Sequence, residues 1–216
     1  MKGIAHYLSI LALSLFSVSG FARDDGLANG ILDIQHEWER VHYQLPEDKQ
    51  DAAFSHAEEM TDALVKRYPG RAEPLVWKAI VLSSHAGVRS DLRALNMARE
   101  SRDFLERAEK IDPGALDGSI YATLGNLYYR VPGWPLGYGD DKKAEAFLKK
   151  ALAINPDDMD ANYFYGDFLY RRGLYPEALS ALEKAMHAPG HPNRPLADEG
   201  RRKEVQAVIA RIKNNT

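Results

Sequence analysis

Apolar and polar positions follow one another with helical spacing along most of this chain, in segments cut by Gly and Pro. The clearest stretch is 155–188, NPDDMDANYFYGDFLYRRGLYPEALSALEKAMHA. Its pattern predicts a helix over 159–172, broken by Gly173, which accepts backbone angles that other residues resist. A second helix is predicted to start at Pro176, whose ring is pre-set for a first helical residue, and to carry Ala178, Leu182 and Ala185 on one face. Gly166 and Ala178 are small enough to face each other where the two backbones come closest, with Tyr165, Leu169 and Leu182 filling the space around them. One such hairpin cannot bury its apolar face alone, so the pattern predicts neighbours stacked on it.

The same pattern recurs upstream. Tyr121-x2-Leu124-Gly125-x2-Tyr128 repeats the first helix, and Ala144-x3-Leu148, Ala151 and Pro156 repeat the second helix and its stop. Weaker copies hold Trp77, Ile80, Leu105, Ala108 and Pro113, and before them Ile31, Ile34, Trp38, Val41, Ala57, Leu64 and Pro69. The order Asn162-x2-Tyr165-Gly166-x2-Leu169, then Ala178-x3-Leu182, resembles the tetratricopeptide repeat, a helical hairpin of about 34 residues. The resemblance implies an all-α solenoid of about four hairpins over 23–195. The closing prolines lie 44 and 43 residues apart, longer than that repeat. One excess is a loop, VPGWPLGYGDD over 131–141; the other lengthens a helix over 91–110 that Ser90 is placed to cap. After the turn-rich 189–195, a helix over 196–213 carries Val205, Val208, Ile209 and Ile212 as an apolar stripe. It reads as a terminal cap for the last hairpin, within a final segment 196–216, with Arg201, Arg202, Lys203, Arg211 and Lys213 facing away.

The first residues read differently. Lys2, an apolar run from Tyr7 to Val18, and Gly20-Phe21-Ala22 have the order of a secretory signal peptide, 1–22, with cleavage expected after Ala22 and a mature start at Arg23. The expected location is therefore the periplasm or another exported compartment. Cys is absent, so a lipid anchor on Cys and disulfides are excluded. The charges nearly balance, 28 Lys and Arg against 31 Asp and Glu, which lacks the basic footprint of a nucleic-acid binder. Nothing after Val18 is apolar enough to cross a membrane.

First helices line the inner face of such a solenoid. The spacing predicts Lys78 and His85 inward from the second hairpin, Asn126, Tyr129 and Arg130 from the third, and Tyr163, Asp167, Tyr170 and Arg171 from the fourth. Together they make a polar, aromatic groove suited to a protein or peptide partner, or to a small polar ligand. The 131–141 loop adds Trp134 and Tyr138. It reads as a stiff lip over that groove or a docking edge, or else as a plug that buries Trp134 against a neighbouring repeat. Asp140, Asp141, Asp157, Asp158 and Asp160 read as helix caps and first-turn charges, and Pro189-Gly190 separates His187 from His191, so no metal site or cofactor is expected. No nucleophile–base motif or phosphate loop is present, so catalysis is not expected. The runs LDGSIYATLGNLYYRVPGWPLGYGDDKKA and NYFYGDFLY are similar to the periplasmic T component associated with TRAP transporters. That resemblance implies an accessory that contacts a periplasmic solute-binding protein and holds or passes a small ligand.

Overall fold

The computed structural model describes residues 25–215; the signal sequence read at 1–22 lies outside them. The chain runs α1 (Asp25–Gln44), α2 (Glu47–Arg67), α3 (Ala72–Gly87), α4 (Leu92–Ile111), a 3-10 turn (Ala115–Gly118), α5 (Ser119–Arg130), α6 (Asp141–Ile154), α7 (Met159–Arg171), α8 (Tyr175–His187) and α9 (Pro195–Asn215). These are four hairpins and a closing helix, an all-α solenoid. Among the described residues, no helix is long and apolar enough to cross a membrane.

Local chemistry places the boundaries. Asp140 caps α6 by accepting from the backbone N–H of Lys142 and Lys143, and Asp158 caps α7 through Ala161. Asp91, rather than Ser90, caps α4, accepting from Arg93 N–H. Gly173 stops α7 with a φ of 75°. Within three hairpins a first-helix glycine meets a second-helix leucine. A Cβ added to Gly30, Gly125 or Gly166 would lie 2.6 Å from a side-chain carbon of Leu64, Leu148 or Leu182 respectively. So Gly166 packs on Leu182, one turn beyond the Ala178 expected from spacing; Ala178 is itself fully buried.

The main core runs from α3 to α9 and includes Tyr121, Leu124, Leu148, Leu182, Val205, Val208 and Ile212. A second cluster joins α1 and α2 to Trp77 and Val81 of α3, and also to Ala197 of α9. The last helix therefore does more than cap α8. It packs on α8, α7 and α1, bringing the end of the chain back to its beginning. Gly200 makes this possible, since a Cβ there would collide with the Tyr43 ring. Polar ties reinforce the contact: Arg194 donates to Glu39 at 2.5 Å, His42 pairs with Glu204 at 3.2 Å, and His36 Nε2 meets the Asn193 carbonyl at 2.9 Å.

Candidate functional site

The closure turns the concave face into a partly enclosed cavity of about 350 Å³. Its floor is Trp38 of α1 and Trp77 and Ile80 of α3. The two indoles meet edge to face at 6.4 Å, and Trp38 Nε1 donates to Ser84 Oγ at 2.8 Å. Among the described residues, the buried Trp77 indole N–H finds no hydrogen-bond partner. One wall is α5, with Ser119, Ala122, Thr123, Asn126 and Arg130. The other is the start of α7, with Asp158, Asp160, Tyr163 and Phe164. The roof is His191 and Arg194 of the linker and Arg201 and Glu204 of α9.

Most of the charges in this lining are already matched. Arg201, only 7% exposed, donates to Asp160 at 2.6 Å and Glu204 at 2.5 Å, and lies over the Tyr163 ring at 4.5 Å. Arg194 lies over Trp77 at 5.3 Å while holding Glu39. Burial pushes Asp160 up, but Arg201, with Arg194 and His191, outweighs it and holds that carboxyl below its ordinary range. Among the described residues Asp158 makes no ion pair, and His191 and Arg201 lower it less than its surroundings raise it. Burial, and then the neighbouring Asp160 charge, push its carboxyl up to about 6. The cavity thus offers an aromatic floor, an amide and guanidinium on one wall, and an under-compensated carboxyl on the other.

The sequence-predicted residues divide around this geometry. Asn126, Arg130 and Tyr163 line the cavity. Asp167 lies between α5 and α7, where its Oδ2 accepts from Tyr129 Oη at 2.9 Å, Arg130 at 2.9 Å and Arg171 at 3.2 Å. Tyr129 and Arg171 therefore brace the wall from behind, and burial pushes the Tyr129 phenol up, keeping it a neutral donor. Tyr170 leans on Tyr175 of α8 at 6.0 Å, outside the cavity. Lys78 and His85 do not face inward. Lys78, 3% exposed, pairs with Asp62 at 2.9 Å and Glu58 at 3.7 Å of α2. His85, 4% exposed, reaches Glu58 at 2.5 Å and Asp51 at 2.9 Å and stacks on Phe54. The inward row of α3 is Trp77, Ile80, Ser84 and Gly87, one residue off the predicted register.

The loop lies elsewhere. Tyr138 packs edge to face on Tyr128, donates to the Ala98 carbonyl at 2.7 Å, and lies under Arg102. The loop is thus fastened to α4, not over the cavity. Two of the three sequence readings of Trp134 fail: it forms no lip over the cavity, and at 90% exposure it is no buried plug; its exposure is compatible with the third, a docking edge. Sequence reasoning also assigned no cavity role to Trp38, Trp77, Arg194, Arg201 and Glu204, and it turned Arg201 outward. The one signal for the roof was Gly200, a costly residue in the interior of an otherwise good helix.

A tetratricopeptide repeat family model matches residues 136–193. Among solved structures, TTC0263, a thermophilic TPR protein of Thermus thermophilus, is 19% identical over 85% of this chain and 98% of its own, with a TM-score of 0.56. That likeness shows the fold. Two further structures are similar at a TM-score of 0.44. MamA is 19% identical over 80% of this chain and 95% of its own. YrrB, described as a TPR protein with an unusual peptide-binding site, is 18% identical over 85% of each chain. No curated protein matches the chain.

Proposed function

We propose that this chain is a non-catalytic binding scaffold whose concave cavity takes a short segment of a protein partner. The observation that carries this reading is the cavity itself, which joins an aromatic floor to unlike charged walls on the inner face of a hairpin solenoid. Its volume is at the low end for ligand sites. It suits a chain end or a few residues rather than a whole helix laid along an open groove. Asn126 and Arg130 are placed for a carboxylate or carbonyl, and Asp158 for an amine or amide. A second reading, a transporter accessory that holds a small polar solute beside a solute-binding protein, is favoured by the closure under α9. We further propose export, supported by the order of charge, apolar run and small residues in 1–22. N-terminal sequencing should then find Arg23 first; Met1 retained in a membrane fraction would contradict it.

The chain has three tryptophans, and Trp134→Phe leaves only the two on the cavity floor. In that background, short peptides with free ends should change the fluorescence of Trp38 and Trp77 saturably. The added variant Asn126→Phe, which fills the cavity, should lose the response and keep its thermal midpoint. No response to any peptide, or an unchanged response in the filled variant, would defeat the reading. A response to free amino acids alone would favour the solute reading.

A further inference from the structure

The cavity under α9 carries one acid that the molecule leaves unanswered. In and behind its lining, guanidiniums and carboxylates are matched. Arg130 and Arg171 meet Asp167, Arg194 meets Glu39, and Arg201 meets Asp160 and Glu204. His42 shares Glu204, and His191 pairs with Asp198. Asp158 lines the same cavity and, among the described residues, makes no ion pair. Half of its carboxyl is in use: Oδ1 caps α7 by accepting from the Ala161 N–H at 2.7 Å. Among the described residues, no group donates to Oδ2.

A single carboxylate oxygen selects among cations. A guanidinium fork is best held by both oxygens of one carboxylate, and the cap has taken one of them. A primary ammonium is a compact point charge with three donors, and it needs only one oxygen from each partner. The facing wall can supply the others. Ser119 and Thr123 of α5 line it with hydroxyls, each with lone pairs to accept. Ser119 Oγ keeps that capacity while donating to the Leu116 carbonyl at 2.6 Å. Behind the charge, Trp38, Trp77 and Phe164 offer apolar surface to a carbon chain. An anion meets a poorer site, because each arginine of the lining already holds a carboxylate.

We infer that the cavity takes its ligand by a primary ammonium group, which docks on Asp158 Oδ2. This rests on the binding reading above and chooses among the amine, amide, carbonyl and carboxylate ends that it allows. The ammonium brings the missing countercharge, so the proton that burial and Asp160 favour on Asp158 leaves as the ligand enters. The charged groups facing Asp158 are Asp160 on its own helix, His191 of the linker and Arg201 of α9. Asp158 loses its proton as pH rises through about 6, and affinity rises with it. A charged His191 opposes an ammonium in the same direction, so variants of both residues are needed to separate them.

Fluorescence titration of the Trp134→Phe protein tests this with defined probes. Trialanine amide has a free amino end and no carboxylate; N-acetyl-trialanine has the reverse. N-acetyl-lysine amide and butylamine carry the ammonium on a side chain and on a small amine. At least one of the three ammonium probes should bind at neutral pH, and N-acetyl-trialanine should not. The tightest of the three assigns the group to a chain end, a lysine side chain or a small amine. Adding Asp158→Asn, which keeps the cap, should weaken that binding about tenfold or more and remove its fall towards acid pH. His191→Gln should retain both the binding and the fall. Equal binding of N-acetyl-trialanine, tighter binding of N-acetyl-arginine amide, or unchanged affinity in Asp158→Asn would overturn the inference and leave the binding reading standing. So would silence from all three ammonium probes while other peptides still change the tryptophan signal. Silence from every peptide would defeat the binding reading itself, and the inference with it.

Discussion

Asp158 does two jobs that conflict. Its side chain caps α7, yet burial beside Asp160 disfavours its charge. Its folded value of about 6 lies above the ordinary 3.8, so the folded chain holds a proton that the unfolded chain has released between those values. Its contribution to stability therefore falls as pH rises through that window. Asn keeps the cap without the charge. Asp158→Asn should be more stable than wild type by about 1–2 kcal/mol at neutral pH, an advantage that fades below about pH 4, as urea titrations at both pH values would show. Arg201 is the opposite case, a buried cation with two carboxylate partners. Arg201→Ala strands both acids and should cost about 3–5 kcal/mol, read from the urea midpoint and slope. Neither behaviour was legible in the sequence. Capping was readable from Asp158 beside a helix start. Its burial depends on α9, more than 30 residues away, and an Arg in an amphipathic helix ordinarily faces water.

At the scale of elements, the hairpins were legible because small residues, prolines and apolar spacing agree locally. The Gly166–Leu182 contact makes that agreement testable. Gly166→Ala should cost about 1–3 kcal/mol by overpacking. Gly87→Ala, with nothing within 4 Å of the added methyl, should be neutral or stabilising by up to about 1 kcal/mol. Thermal or urea melts of the pair would expose a hairpin built otherwise. The inward face of α3 was not legible. That helix is buried nearly all round, so periodicity could not choose its inner row, and Lys78 and His85, read as groove-lining, instead pair with carboxylates of α2. The loop was legible as ordered, but not as to which aromatic it buries. Tyr138→Phe should cost about 1 kcal/mol through the lost bond to Ala98, and Trp134→Ala less than about 0.5 kcal/mol. A larger loss for Trp134 than for Tyr138 in the same melts would reverse their roles.

At the scale of the molecule, the return of α9 to α1 gives the concave face its floor, roof and limited size. Open solenoids offer long grooves; here the roof confines a ligand to the space above Trp38 and Trp77. Residues that meet across this seam lie about 160 positions apart, as His42 and Glu204 do. No local pattern could pair them, which is why the cap was readable from the stripe of α9 and its second contact was not. The chain has no Cys, so the seam can be probed with introduced thiols alone. In His42→Cys/Glu204→Cys, a short bifunctional thiol reagent should link the two positions within one chain, rapidly and in native buffer, with the helical signal retained. Absence of that link in the folded protein, with both thiols reactive, would mean that α9 does not return to α1 and that the enclosed site does not exist.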